Sequence, residues 1–297
     1  MLNIQKEYRE YLKSVITLLQ PINIDVSTQE NLIDSIRDTE LIIPVVGGFS
    51  AGKSTLINSW LEEEVLSTNL TPETALATEL RYSIDNYIEA VTEDENFDRY
   101  KLNQSEEIKN SASKYKYLRL FLNNEKLKSI EPLVLVDMPG FDSPLELHNT
   151  AIMNYLNKGI YFIVLTSIED GNLTKSTLRE LENMTEFGKD FSFCLSKSNL
   201  RSEEDVNRVK EKIEEQLADY FDFEKGVIPL YQQGGSELEK ILQSINAEEL
   251  FAKIFKQDLK YNYLEIESSI NTIISTLKTS KEDVANALIE LQNGIKK

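Results

Sequence analysis

Gly47, Gly52, Lys53 and Ser54 fall in the order glycine, four residues, glycine, lysine, serine, inside the stretch LIIPVVGGFSAGKSTL of residues 41–56. That spacing fits a phosphate-binding loop. Glycines let backbone N–H groups curl inward around phosphate oxygens, and a helix starting directly afterwards adds the positive end of its dipole. Lys53 would reach the terminal phosphates of a nucleoside triphosphate, and the Ser54 hydroxyl would ligate Mg2+. Gly47, Gly48, Phe49, Ser50, Ala51, Gly52, Lys53, Ser54 and Thr55 are therefore candidate nucleotide-binding residues. The competing reading is a glycine turn that binds nothing. The flanks weigh against it, because ELIIPVV reads as a buried strand and STLINSWLEEE as a helix, which is the context the motif requires.

A phosphate loop alone does not separate ATPases, GTPases and kinases. The stretch LVLVDMPGF adds Asp137, Pro139 and Gly140 at the end of a second apolar run. An aspartate there can hold a water on Mg2+, and the Gly140 N–H can donate to a γ-phosphate, so the turn senses whether that phosphate is present. Between the two motifs, STNLTPETALATELRY offers a threonine expected to close on Mg2+ when triphosphate is bound. Thr74 is the first choice, with Thr71 and Thr78 as competitors. The expected metal ligands are thus Ser54, Thr74 and Asp137, and Lys53, Thr74 and Gly140 are expected to act on the phosphates.

These loops need strands to hold them. LIIPVV (41–46), LVLVD (133–137), IYFIVL (160–165) and FSFCLS (191–196) are apolar runs, and helical stretches separate the last three. Such alternation indicates a mostly parallel sheet covered by helices. ELRYSI, YIEAVT and YLRLFL add alternating segments with a charged insert between them, and VIPLY (227–231) a further buried strand. Lys114, Lys116 and Arg119 alternate with Tyr115, Tyr117 and Leu118, which reads as the solvent face of a strand rather than a binding patch. The total predicts an α/β domain over about residues 31–245.

The chain ends differ. Ile270, Ile273, Leu277, Val284, Leu288, Leu291 and Ile295 step along a long helix with one apolar stripe, and Tyr8, Leu12, Val15, Ile16 and Leu19 form a matching stripe. We expect residues 1–30 and 246–297 to join as a helical bundle; the alternative is that they pack as outer helices on the sheet. The second stripe runs to the edge of the sequence without a stop signal, so a longer natural protein is expected.

Composition narrows the partners. The 297 residues carry 50 Asp and Glu against 32 Lys and Arg, a formal charge of −18, which argues against nucleic acid and against a broad basic membrane-binding face. One cysteine, Cys194, and one histidine, His148, cannot build a disulfide framework or a cysteine-histidine zinc site within one chain. Cys194 reads as a small core residue of a strand and His148 as a surface residue; a reactive thiol or catalytic imidazole lacks a supporting partner pattern. No apolar run approaches the ~18 residues of a membrane span, so a cytoplasmic location is expected.

Taken together, GGFSAGKSTLIN, TPETALATEL and VDMPG resemble the dynamin superfamily, particularly its bacterial dynamin-like members. The resemblance covers the α/β part and implies an expanded Ras-like GTPase domain of the phosphate-loop NTPase class, flanked by bundle helices from both chain ends. It supports Thr74 as the switch threonine and implies that Ser50 helps hold a monovalent cation near the phosphates, which adds Ser50 to the catalytic candidates. It further implies GTP and GDP as ligands and nucleotide-dependent dimerisation across the active site, as a homodimer or with a related dynamin-like protein. Membrane remodelling or tethering is implied too, with membrane contact through parts outside this chain and a location at the inner face of the membrane.

Two positions depart from that pattern. Phe49 stands where eukaryotic dynamins carry a glutamine that positions water, and a phenyl ring neither donates nor accepts the needed hydrogen bond. Phe141 offers no substitute. Ser196-Lys197-Ser198-Asn199 stands where Thr/Asn-Lys-x-Asp is usual, so Lys197 can lie along the base while Asn199 presents one acceptor and one donor to it. The loop YQQGGSELEK fits a last base-binding loop only loosely, and its Gly234-Gly235 turn reads equally as a connector. A nucleotide-binding scaffold with little turnover is therefore the second reading, and an RNA-linked GTPase a third that the acidic charge disfavours.

Overall fold

The computed structural model describes residues 1–66, 76–140 and 153–295. Thr71, Thr74, Phe141 and His148 lie outside the described residues. The chain divides into two compact units, one of residues 40–247 and one of residues 1–39 with 248–297.

In the larger unit β1 (Leu41–Gly47) leads into α3 (Lys53–Leu61), the chain's third helix, after α1 (Asn3–Leu19) and α2 (Ser27–Asp38) of the smaller unit. Then follow β2 (Thr78–Tyr82), β3 (Tyr87–Val91), β4 (Phe97–Tyr100), α4 (Ser105–Asn110), β5 (Tyr117–Leu122), α5 (Glu125–Ile130) and β6 (Leu133–Asp137). The second half runs α6 (153–158), β7 (Tyr161–Ser167), α7 (Lys175–Glu186), β8 (Asp190–Ser196), α8 (Glu203–Phe221), β9 (Val227–Pro229) and α9 (Gly235–Ser244). The strands form one sheet in the order β4-β3-β5-β2-β6-β1-β7-β8-β9. From β6 through β9 every pairing is parallel, and β2 pairs parallel to β5. The β2–β6, β3–β4 and β3–β5 pairings are antiparallel. Every residue of β1 is buried, as a strand covered by helices on both faces requires. The carboxyl ends of β1, β6, β7 and β8 thereby converge on one rim, where ligands of such sheets bind.

The strand β4 escaped the sequence reading. Its residues FDRY include three exposed positions, and an edge strand that joins its neighbour through polar side chains and backbone leaves no apolar alternation to find. The expected solvent face of β5 also needs correcting at Arg119. Cross-strand register sets Glu79 opposite Arg119, Arg119 opposite Glu89, and Glu89 opposite Arg99, a row of alternating charge over β2, β5, β3 and β4. Glu79 and Glu89 are buried in it. Opposite charges facing one another across strands stabilise the pairing and set its register.

Glu79 accepts from Arg81 at 2.6 and 3.2 Å on Oε2 and from the Tyr155 hydroxyl on α6 at 2.8 Å on Oε1. Burial, and next the Glu79 charge, push the Tyr155 hydroxyl far above the ordinary phenol range, so it stays a donor. Tyr155→Phe leaves that carboxylate oxygen short of a partner in a buried position. The expected cost is about 1–3 kcal/mol, read as a lowered midpoint in urea unfolding with unchanged m-value. No change in the midpoint would mean that Arg81 alone satisfies Glu79. Cys194 on β8 is fully buried, and burial, with the Glu237 charge, raises its thiol to about 12, so it is an inert core residue.

The smaller unit is helical. α1 and α2 pair, and Gln5 Nε2 donates to the Ile36 carbonyl at 2.8 Å. The first turn of α1 holds no acidic residue and its N-cap no side-chain bond, so its orphan N–H groups need a partner from elsewhere. Glu248 on α10 (Ala247–Ile295) supplies it, accepting from the backbone of Asn3 at 2.8 Å and Ile4 at 2.9 Å. Because neither Gly nor Pro interrupts it before Gly294, α10 is one helix of 49 residues rather than several. Its apolar stripe stays exposed at Leu277, Val284, Leu288 and Leu291. No helix among the described residues is long and apolar enough to cross a membrane.

Candidate functional site

The phosphate loop joins β1 to α3, and two of its glycines are demanded by space and backbone. A Cβ on Gly47 would sit 2.3 Å from the Leu165 carbonyl oxygen of β7, and Gly52 occupies a left-handed conformation (φ +88°) at the N-cap of α3. The nearly buried Lys53 turns back across the loop, its ammonium donating to the carbonyls of Gly47 at 3.1 Å and Gly48 at 2.9 Å. The charge is thus held over the loop, in the wall of a cavity. Ser54, one residue on, donates from its hydroxyl to Asp137 Oδ2 at 2.6 Å.

Asp137 reaches this point because β6 runs parallel beside β1, with Asp137 in register with Val45. On the other side Thr78 of β2 is its antiparallel partner. The residue is half-buried, but its Oδ1 is closed off from solvent and has no hydrogen-bond partner among the described residues. Burial raises the Asp137 carboxyl above the usual range, while the Lys53 charge and the Ser54 hydrogen bond oppose the shift. The Asp-x-Pro-Gly turn then passes so close to the loop that a Cβ on Gly140 would lie 2.6 Å from Phe49 Cα and 2.7 Å from Phe49 N. Phe49, Ser50, Lys53, Ser54, Asp137 and Gly140 share the walls of one cavity of about 330 Å³. Thr78 also lines it, its hydroxyl donating to the Leu76 carbonyl at 3.2 Å.

The donor set suits Mg2+. Ser54 and Asp137 offer hard oxygens side by side, and Oδ1 is an acceptor that a cation, or a water held on one, would satisfy. Among the described residues no cluster of three or more His, Cys, Asp or Glu could hold a metal, so a divalent ion here would draw most of its ligands from nucleotide and water.

A second cavity of about 420 Å³ adjoins the first, and Gly52, Thr55 and Lys197 line both. Lys197, in a left-handed conformation after β8, is joined by its ammonium to Glu169 Oε2 at 2.6 Å. Asn199 lines this cavity with Ser196, Gln232 and Gln233. The loop after β9 is fixed to the loop after β8 through Leu230 N–H to Leu195 O at 2.8 Å and Ser198 N–H to Leu230 O at 3.3 Å. The Gly234-Gly235 pair is a packing device: a Cβ would meet Leu56 and Leu230 at 2.9 Å in the first, and the Ser59 carbonyl oxygen at 2.7 Å in the second. It lets α9 start hard against α3.

Gln232, Gln233 and Glu169 were not anticipated as site residues. The glutamines belong to a loop whose fit to a base-binding pattern is loose, and Glu169 shows no local signal, since only the pairing of β7 with β8 brings it to Lys197.

A family model described as the dynamin family matches residues 43–198. Among curated relatives, an uncharacterised protein in the xynA 3′ region of Caldicellulosiruptor sp. (strain Rt8B.4) is 23% identical over 292 residues, covering 91% of this chain and 70% of the relative. Dynamin-like protein 2 of Campylobacter jejuni subsp. jejuni serotype O:23/36 (strain 81-176) is 27% identical over 192 residues, 62% of this chain and 30% of that protein. Among solved structures, two of an oligomerised bacterial dynamin pair share the fold with TM-scores of 0.59 and 0.58 at 19% and 18% identity. They match 78% and 77% of this chain and 39% of each of theirs. The chain thus spans well under half of the characterised relatives it matches.

Proposed function

Because this chain belongs to the dynamin family and carries its GTPase domain, we propose that it hydrolyses GTP to GDP and phosphate with Mg2+, and that nucleotide binding drives association of its GTPase domains. One observation carries the reading: Lys53 lies folded over its own loop beside a Ser54–Asp137 pair whose remaining carboxylate oxygen is buried and has no partner among the described residues. In this reading Lys53 exchanges two backbone carbonyls for β- and γ-phosphate oxygens, and the N–H groups of the loop wrap the β-phosphate. Ser54, Thr74 and Asp137 would hold the metal, and Mg2+, when bound, would neutralise charge developing on the phosphate oxygens. Gly140, already against Phe49, presents its N–H to the γ-phosphate. Ser50 helps hold a monovalent cation beside the phosphates. Catalysis is then positioning and charge stabilisation rather than covalent chemistry.

Association across the site is supported by exposed large apolar side chains: Phe49, in the cavity wall, is 53% exposed, and Leu200 and Tyr231, next in sequence to the lining residues Asn199 and Gln232, 58% and 44%. The bacterial dynamin pair similar in fold is described as sensing and tethering membranes over long range. We extend that role to the longer protein this sequence resembles, working at the inner face of the membrane from the cytoplasm, with the lipid contact outside this chain and with a second copy or a related dynamin-like protein as partner. The unit of α1, α2 and α10 would be the bundle through which the GTPase cycle is transmitted. With a charge of −18, nucleic acid is not among the partners.

Phosphate release from GTP, measured over a range of protein concentration with Mg2+ and again with a chelator, tests this. Turnover per molecule is expected to rise with concentration and to vanish with the chelator. Concentration-independent turnover at background would favour the second reading, a nucleotide-binding scaffold, for which Phe49 in the water-positioning place is the specific argument.

A further inference from the structure

We propose that the base cavity of this chain accepts a purine with an oxygen at C2, as in xanthine, at least as readily as guanine, and that Asn199 is the specificity-determining residue. This rests on the nucleotide-binding reading above and concerns only the base. Guanine offers two adjacent donors, N1–H and the C2 amine. A carboxylate answers both with its two acceptor oxygens. Asn199 answers one: its Oδ1 accepts from N1–H, but its Nδ2 meets the C2 amine donor to donor. Against xanthine the same carboxamide is complementary, Oδ1 to N1–H and Nδ2–H to the C2 oxygen.

The structure bears on whether a neighbour restores the missing acceptor. No carboxylate lines the cavity among the described residues. Glu169 pairs with the Lys197 ammonium at 2.6 Å and is not part of the lining. Ser198 is buried outside the lining, its hydroxyl donating to the Leu195 carbonyl at 2.8 Å, and the Ser196 hydroxyl donates its proton to the Thr166 carbonyl at 3.2 Å, which leaves a single neutral hydroxyl oxygen, a weaker acceptor than a carboxylate, on that wall. Gln232 and Gln233 are carboxamides like Asn199, able to present either end to a base, and impose no preference for a donor pair. The lining therefore offers three carboxamides, at Asn199, Gln232 and Gln233, beside Thr55, Ser196 and Lys197, and no carboxylate where guanine selection calls for a fixed pair of acceptors.

The test is displacement of a fluorescent GDP analogue from the full chain by GDP, XDP, IDP and ADP with Mg2+, for the wild type and for Asn199→Asp. In the wild type XDP is expected to compete as well as GDP or better, and IDP, which lacks the C2 amine, as well as GDP. Asn199→Asp is expected to strengthen GDP and weaken XDP, moving their ratio by about 100-fold, since each side gains or loses a buried pairing worth about tenfold. A wild type that prefers GDP over both XDP and IDP by more than about tenfold overturns the proposal and leaves the GTPase reading standing. The IDP comparison needs no variant. Failure of the fluorescent GDP itself to bind overturns both.

Discussion

Lys53→Ala is expected to weaken a non-hydrolysable GTP analogue by about two orders of magnitude or more and to bring phosphate release to background. The side chain is nearly buried at the carboxyl rim of the sheet, and its ammonium rests on two carbonyls of the loop it belongs to. Those carbonyls are weaker partners than phosphate oxygens carrying formal charge, so the nucleotide takes the ammonium at net gain. Removing it deletes a charge-assisted contact in a cavity that water leaves when nucleotide enters, where such contacts count most. The same change frees Gly47 O and Gly48 O from their side-chain donor, a smaller loss of about 1 kcal/mol. Calorimetric titration of the analogue gives the first effect, and the thermal midpoint of the nucleotide-free protein the second. Unchanged affinity in a folded variant would remove the loop from any role in binding.

The parts of this site that could be read from the sequence are those where one residue type at one spacing has one physical use. Gly47, Gly52, Lys53 and Ser54 are of this kind, because close backbone approach, a left-handed N-cap, a reaching cation and a hydroxyl each leave a separate trace. The runs that became β1, β6, β7 and β8 were legible because strands buried on both faces are apolar throughout. What stayed hidden depended on register. Glu79, Arg119, Glu89 and Arg99 lie far apart in sequence and are ordinary surface charges in composition, and only the mixed pairing of β2, β5, β3 and β4 lines them up. Glu169 meets Lys197 for the same reason. The domain division shows the limit of periodicity: the stripe of α1 is visible in the sequence, while nothing in it groups α2 with α1 and α10 in the helical unit of residues 1–39 and 248–297. That assignment rests on α1 packing against α2 and on Gln5 reaching the carbonyl of Ile36.

Asp137→Asn is expected to separate stability from function. In the nucleotide-free protein the Asp137 carboxyl is raised above its ordinary value because burial opposes its charge more than Lys53 and Ser54 favour it. A carboxyl whose folded pKa is raised binds its proton more tightly folded than unfolded, so its ionised form costs stability. The cost is absent below the unfolded value, grows as pH rises through the raised value, and is fully present above it. Asparagine removes the charge and leaves an acceptor for the Ser54 hydroxyl. At neutral pH the nucleotide-free variant is therefore expected to be more stable than the wild type, read as a higher thermal midpoint. As pH falls toward the usual carboxylate range, that advantage is expected to shrink to nothing. With Mg2+ and the GTP analogue present the order reverses: the wild type gains stability by mass action, and the variant, lacking the anionic oxygen that fits the ion or its water, loses about 100-fold in Mg2+-dependent affinity. Thermal midpoints across pH, each with and without Mg2+ and analogue, read both effects in one experiment. A variant less stable than wild type at neutral pH, with no narrowing in acid, would show that Asp137 is held ionised by partners strong enough to outweigh its burial. The cavity would then be built for its own fold rather than for a cation.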